Sequence, residues 1–551
     1  MKALRAWFGR VMLLARGLPK GASAPPLPYE WFSDDEAACY HRAVLGAEAL
    51  AVDEATARDL HLADYVRQLA SDRSIFARQY LLHRLLAGAG GTAGAAEAEA
   101  ERQATRERVQ LLQASARAAA AVQGAVAGLR TVPAEVASFV FGQDGVVLPP
   151  AFARIRSFEA LVLALGLAVL VWPGAWTATL LAACLVFGLG FQMRWYRVLQ
   201  QWTRQRDGVL AMLRAARVLA AAHEALPPPL RPGVLATPAC IDRLLATLRP
   251  GPLARVPALA EYLNLLLLHE YASAARDGLA MARERVALGA VFEAVARSEA
   301  ELALATMATA CTGGGTAWCW ATPAPPGQLA VQGLQHPLLA RPIGVDVAVA
   351  PGRGLFISGR NGEGKSTLMR ALGLAVLTAR AFGHAHAQRA SLPRVMVCTS
   401  IQVHDDIGQG RSLYLAELAR AAALCRVAAQ RQAVLFIADE LFRGTNYVES
   451  VAACAATVRA LAQGGMVVVA SHNVVLATLL APWLDALRLQ RSPGAPPALQ
   501  LVPGVLVDTN GVAVLRSEGF DAELVARAER IQAWYAAYVT HPTQLPGDLM
   551  A

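Results

Sequence analysis

The hydrophobic and polar positions of this chain fall into three regimes. Ala95–Arg130 is rich in Ala, Glu, Gln and Arg and has no proline, a composition that favours a long helix, and Arg194–Leu226 reads the same way. Between them, Ala160–Met193 is 34 residues without a charge, past the ~20 apolar residues that cross a bilayer. Trp172-Pro173-Gly174 interrupts this stretch, because proline removes a backbone donor and glycine tolerates a turn. The pattern therefore predicts a hairpin with arms of about 12–14 and about 17 residues. From about Leu329 the pattern changes to short apolar runs separated by helical stretches: Leu355–Ser358, Val395–Thr399, Val434–Ala438, Met466–Ala470 and Ala486–Leu489. That alternation predicts a parallel α/β sheet.

Breakers and charges divide the chain further. Ala87–Gly94 reads as a flexible joint, the prolines between Leu226 and Leu230 end the returning helix, and another helical block covers about Pro257–Ala310. Thr312–Gly315 and Thr322–Gly327 mark a boundary. The expected organisation is a basic N-terminal segment (1–50), a helical core with an outgoing lever helix (51–157), a transmembrane hairpin (158–193), a returning lever helix with the rest of the core (194–325), and an α/β domain with C-terminal helices (326–551). Arg154 and Arg156 precede the first arm while Arg194 and Arg197 follow the second, which puts both ends on the cytoplasmic side. The arms are short, so a shallow re-entrant hairpin or a buried helical pair is the alternative.

Composition strengthens the membrane reading. Of 551 residues, 55% are hydrophobic and 17% charged, against about 25% charged in typical soluble domains, which argues against disorder. The net charge of +9 comes almost wholly from Arg, since Lys2, Lys20 and Lys365 are the only lysines. A basic balance of this kind suits anionic lipid as well as nucleic acid. The eight cysteines contain no C-x-x-C and no matched His spacing, so they read as reduced thiols rather than a zinc site. Residues 1–20 are basic, but Val11–Ala15 is too short for the core of a signal peptide and reads as an interfacial or frayed helix.

The candidate chemistry lies in the α/β part. Gly359-Arg-Asn361-Gly362-Glu-Gly364-Lys365-Ser366 fits G-x-x-x-x-G-K-S/T and sits between a strand and a helix starting near Thr367. In that setting backbone N–H groups wrap phosphates, Lys365 reaches the β and γ phosphates, and Ser366 ligates Mg2+. Val434–Ala438 ends in Asp439-Glu440, the expected Walker B, with Asp439 holding the metal and Glu440 polarising the attacking water. Met466–Ala470 ends in Ser471-His472, which brings an imidazole near the γ-phosphate if the strands are neighbours.

Taken together these residues resemble the MutS-like ATPases, a branch of the ABC-type nucleotide-binding superfamily. Asp405-Asp406-Ile407 with Gly410-Arg411-Ser412-Leu413-Tyr414-Leu415-Ala416-Glu417-Leu418 looks like the family's segment before Walker B, and Asp439-Glu440-Leu-Phe-Arg443-Gly444-Thr445-Asn446 looks like its D-E-x-x-R-G-T motif. Ser471-His472 stands in the place of its T-H switch, Gln335-His336-Pro337-Leu338 resembles the start of its ATPase domain, and Pro503-Gly504 through Asn510-Gly511-Val512 its closing segment. Thr56–Leu60, Arg73–Arg78 and Arg297–Ala308 resemble parts of the family's helical core more weakly.

The resemblance implies an α/β P-loop ATPase domain at the C-terminus, preceded by a mostly α-helical core and lever. It further implies a homodimer, in which Ser412 and Arg443–Asn446 approach the partner's nucleotide. Expected catalytic residues are Lys365, Glu440 and His472. Expected ATP contacts are Gly359, Asn361, Gly362, Gly364, Lys365, Ser366, Thr367 and, in trans, Ser412; Mg2+ ligands are Ser366 and Asp439. About 50 residues precede the similarity and the hairpin stands where the family inserts its DNA clamp, so mismatch recognition is not implied. The expected function is a membrane-anchored ATPase of the inner membrane with its ATPase domain cytoplasmic. The rival is a repair protein that binds duplex DNA nonspecifically through its Arg-rich helices.

Overall fold

The computed structural model describes residues 32–44, 52–87, 94–142, 148–222, 225–231, 238–248, 262, 264–314, 316–360, 362–402, 413–430, 433–492, 498–506 and 519–540. Most of the basic N-terminal segment, most of the Ala87–Gly94 joint, Asn361, the Asp405-Asp406-Ile407 motif, Ser412 and Asn510-Gly511-Val512 lie outside them.

The described residues before residue 315 are mostly helical. Helix Asp34–Val44 packs on Ile75–Ala87, which in turn packs on Arg285–Thr312. Aromatic residues fill the junction: Tyr40, Phe76, Phe141 and Phe292 meet with ring centroids 4.9–5.3 Å apart in tilted or edge-on geometry. Such pairs stabilise by about 0.5–1.5 kcal/mol beyond the area they bury.

The single helix expected over Ala95–Arg130 is instead two, Ala95–Ala114 and Ala116–Val126, followed by a 3-10 turn over Ala127–Thr131. Ser115 takes extended backbone and its hydroxyl accepts from the Ala118 N–H, so it caps the second helix and ends the first. The break lets both pieces lie against Arg285–Thr312.

The apolar hairpin forms as the pattern predicts, from helices Pro150–Val171 and Ala175–Ala221 broken at Trp172–Gly174. Its second arm and the returning lever are one continuous helix of 47 residues. That helix ends at Ala221, before the expected Leu226, because its last turn tightens (the Ala222 N–H also reaches the Leu219 carbonyl) and Leu226 precedes a proline that disfavours helical backbone. The base of the hairpin is packed, with Phe152 against Phe191, Trp195 and Tyr271 at 5.0–6.1 Å. Its outer part faces outward: Leu170, Trp172 and Trp176 are 81%, 80% and 85% exposed. Among the described helices, Ala175–Ala221 is the one long and apolar enough to cross a membrane.

The α/β domain has a mixed sheet, a correction to the wholly parallel one expected. In chain order the strands are β1 (Cys319–Trp320), β2 (Thr322–Ala324), β3 (Leu329–Leu334), β4 (Val345–Val349), β5 (Gly354–Ser358), β6 (His384–Ala385), β7 (Arg389–Pro393), β8 (Met396–Ser400), β9 (Val434–Asp439), β10 (Met466–Ala470), β11 (Leu484–Ser492) and β12 (Ala498–Pro503). The main sheet runs β12-β11-β5-β10-β9-β8, parallel except for β12. A second sheet, β2-β7-β3-β4, was not predicted; β3 and β4 are half-buried, alternating strands rather than continuous apolar runs.

One face of the main sheet is covered by helix Lys365–Phe382, whose buried residues continue into the core of the helical region. The other face is covered by helices Leu413–Ala429 and Tyr447–Gly464. The helical region sits close on the first of these: a Cβ at Gly373 would lie 2.7 Å from Leu60 Cδ2.

Candidate functional site

The register of three strands builds the site. β10 lies between β5 and β9, with Ala470 level with Ile357 on one side and Asp439 on the other. The loop after β5, the Asp439-Glu440 pair and Ser471-His472 therefore emerge side by side at the carboxyl ends of adjacent parallel strands, where open α/β sheets place their ligands. β10 thus satisfies the condition that the sequence left open for His472.

The loop after β5 needs glycine where the chain turns left-handed. Gly362 and Gly364 have φ of +78° and +99°, and Gly364 is the residue from which helix Lys365–Phe382 starts. This is two residues earlier than the expected start near Thr367. Lys365 is buried, and its ammonium donates to the carbonyls of Gly359 and Arg360 at 2.9 and 3.2 Å. Glu363, which sequence reasoning left without a role, accepts from the Arg360 N–H at 2.8 Å and fixes the loop from within. Ser366 and Thr367 are half-buried in the first helical turn.

Across the sheet, the Ser366 hydroxyl donates directly to Asp439 Oδ2. His472 Nε2 lies 3.1 Å from Glu440 Oε1 and 3.4 Å from Lys365 Nζ. Burial pushes the Lys365 ammonium below its ordinary pKa although Asp439, Glu440 and Glu363 pull the other way. Burial likewise raises the Asp439 carboxyl, with the Ser366 hydrogen bond opposing it. Glu440 and Phe442 both have positive φ, +51° and +60°, in a region costly for residues other than glycine. The Glu440 N–H is held by the Ala470 carbonyl at 3.0 Å.

These groups suit an anion paired with a hard cation. Backbone at a helix N-terminus and one ammonium would meet an anion there, while the Ser366 hydroxyl and Asp439 carboxylate offer adjacent oxygen donors of the kind magnesium takes. Among the described residues no group of three or more His, Cys, Asp or Glu side chains is arranged for a metal.

The segment after Glu440 is tied to the next helix. Glu417 accepts from the Gly444 N–H at 3.1 Å and pairs with Arg443 at 3.4 Å, and Asn446 caps helix Tyr447–Gly464 by accepting from the Glu449 N–H at 3.0 Å. Sequence reasoning missed the role of Glu417, which is visible only once its helix packs beside that segment.

The geometry thus brings a glycine-rich loop and a carboxylate pair together at the carboxyl ends of adjacent interior strands of an α/β sheet. Residues 355–534 match the family model described as MutS domain V. Over 188 residues the chain is 31% identical to the DNA mismatch repair protein MutS of Thermus aquaticus, an overlap of 33% of this chain and 23% of that protein. It is 32% identical over 185 residues to the protein of that name from an Anaeromyxobacter species (32% and 21%), and 31% identical over 185 residues to that of Streptococcus sanguinis (32% and 21%). The C-terminal third is therefore similar to MutS. The chain spans less than a quarter of the length of the curated relatives it matches.

Proposed function

We propose that the chain is a membrane-anchored, MutS-like ATPase that binds and hydrolyses ATP as a homodimer and couples nucleotide state to movement of its helical lever. The observation that carries the ATPase part is the convergence of Lys365, Ser366, Asp439, Glu440 and His472 at the ends of β5, β9 and β10. Gly359, Gly362, Gly364, Lys365 and Thr367 hold the phosphates, with Asn361 completing the loop. Lys365 turns from the loop carbonyls to the β and γ oxygens. Mg2+, held by Ser366 and by Asp439, would neutralise charge building on the phosphates. Glu440 orients and polarises the attacking water, and His472 stands beside it to contact the γ-phosphate. Ser412 of a second copy completes the site.

The membrane part rests on the outward-facing apolar hairpin, flanked at its base by the exposed Arg154, Arg156, Arg194 and Arg197. Large exposed apolar surface on a monomer marks an interaction site, and an all-apolar helix pair with basic residues at its base fits lipid. The setting is the inner membrane, with the ATPase domain cytoplasmic.

A second reading, a repair-type protein with nonspecific duplex binding, is favoured by the names of the relatives. One fractionation separates the two. Membrane association that survives high salt and alkaline carbonate but yields to detergent supports the anchor, whereas release by salt together with steeply salt-dependent DNA binding supports the rival.

A further inference from the structure

We infer that the short helix Glu54–Asp59 of the helical region is a positioning element for the proposed ATP site, acting through a clamp of Asp59, Thr56 and the Asp53–Arg420 pair. The inference rests on the ATPase reading above and adds a means by which the helical region acts on that site.

The clamp is built from directional bonds rather than packing alone. Asp59 is 6% exposed, and its carboxylate accepts from the Thr399 hydroxyl at 2.7 Å and from the N–H groups of Ile401 and Gln402 at 2.8 and 3.0 Å. Ile401 and Gln402 lie just past β8, where the sheet no longer supplies acceptors, so the carboxylate takes over from the ladder. Charge-assisted bonds of this kind are short and fix geometry as well as adding strength. One turn earlier, the Thr56 hydroxyl oxygen accepts from the Thr399 N–H at 3.0 Å and from Arg420 Nη2 at 2.9 Å. Arg420 also grips both Asp53 oxygens, at 2.9 and 3.1 Å. Asp53 in turn caps the short helix through the Thr56 N–H at 2.7 Å.

The same short helix touches the phosphate-loop helix. Arg370 donates through Nε to the Asp59 carbonyl at 2.9 Å and through Nη2 to Gln402 Oε1 at 3.2 Å. Arg370 lies one turn beyond Ser366, so this contact bears on the hydroxyl that meets Asp439. On the other flank Arg420 is one turn beyond Glu417, which holds Gly444 and Arg443 in the segment that follows Glu440. One six-residue helix therefore grips both walls of the site. It gives neither wall a reacting group, which makes it a positioning element and not a catalytic one. A misplacement of about 1 Å at such a distance from the chemistry costs on the order of a hundredfold in rate.

Asp59→Asn and Arg420→Lys test this in the full-length chain, with Thr399→Val as the variant that removes one clamp bond without burying a new group. The readouts are affinity for a fluorescent ATP analogue, kcat, and the urea midpoint. The clamp predicts that kcat falls by about tenfold or more while nucleotide affinity stays within about threefold, in variants that remain folded under assay conditions although their urea midpoints fall with the buried bonds they lose. Parental kcat in all three variants, alongside Lys365-dependent hydrolysis in the parent, overturns the clamp alone. Equal losses of kcat, affinity and stability overturn it in favour of a general folding role. No Lys365-dependent hydrolysis in the parent overturns the site reading, and the clamp with it.

Discussion

His472 Nε2 and Glu440 Oε1 stand 3.1 Å apart, joining the ends of two neighbouring strands through side chains that the chain carries more than thirty residues apart. Lys365 Nζ lies 3.4 Å beyond the same nitrogen, so the three groups proposed for catalysis form one line of contact.

That line sets the first prediction. Lys365→Ala should abolish tight ATP binding, and Glu440→Gln should bind ATP yet hydrolyse it at least about a hundredfold more slowly and hold the dimer. Equilibrium binding and single-turnover kinetics separate the two effects. Parental turnover by Glu440→Gln removes that residue from the proposed role.

Assembly in trans is tested by mixing. If Ser412 completes the neighbouring site, Lys365→Ala and Ser412→Arg chains should each be inactive, yet recover activity when mixed, since one of the two sites in a heterodimer escapes both lesions. Mixed activity no higher than that of the separate chains, with heterodimers confirmed, counts against a composite site.

Topology has its own check. In a cysteine-free background of intact cells, Arg154→Cys and Arg197→Cys should be protected from an impermeant thiol reagent, whereas Gly174→Cys, between the two helices, should react if the hairpin crosses. Labelling at either arginine position removes the assignment of both ends to the cytoplasm.

Stability should depend on pH through a buried histidine. The Tyr65 hydroxyl lies 3.1 Å from Nε2 of both His384 and His386, and burial pushes His386 from 6.5 down to about 4. The unfolded chain therefore accepts a proton that the folded one refuses, so the contribution is complete above about pH 6.5 and is lost as pH falls toward 4, by up to about 3 kcal/mol. The urea midpoint should be flat between pH 7 and 8 and decline below 6.5, and His386→Gln should make that decline shallower. An equally steep decline in the variant rejects the assignment.

The lever's seat on the helical core gives the last prediction. A Cβ at Gly208 would lie 2.6 Å from Val136 Cγ1 and 3.3 Å from the Ala134 carbonyl oxygen. Gly208→Ala should therefore destabilise by about 1–3 kcal/mol, although alanine is the better helix former. A raised urea midpoint would show that this contact relaxes freely.

Much of the α/β part was legible because its signals are local. A glycine-rich loop between strand and helix and an apolar run ending in two acids each declare themselves within about ten residues. The hairpin was legible for the same reason, Pro173 and Gly174 leaving little choice of where the apolar stretch turns. The second sheet was harder to see, since β7 is polar at one end and closes on proline, so it lacks the continuous apolar run of a buried strand. The Asp59 clamp was illegible: its partners lie 340 to 343 residues away, and nothing in Thr56–Leu60 announces which strand end it will meet. The break at Ser115 turned on one hydroxyl, a residue that composition averaged over thirty positions does not register.

The unbroken helix from Ala175 to Ala221 carries a mechanical consequence. At 1.5 Å per residue it is a rod of about 70 Å whose inner part is buried from Leu199 to Leu219, with Trp202 packed on Phe139. From Trp202 about 40 Å of rod extends to the hairpin tip, whereas the inner part is held against the helical core along its length. A 10° tilt about Trp202 sweeps the tip through about 7 Å, a sizeable fraction of a leaflet's thickness. Under the proposed coupling, a rearrangement near the sheet too small to reshape it would be converted into a displacement at the hairpin tip that a bilayer, or a protein lying within it, would have to accommodate.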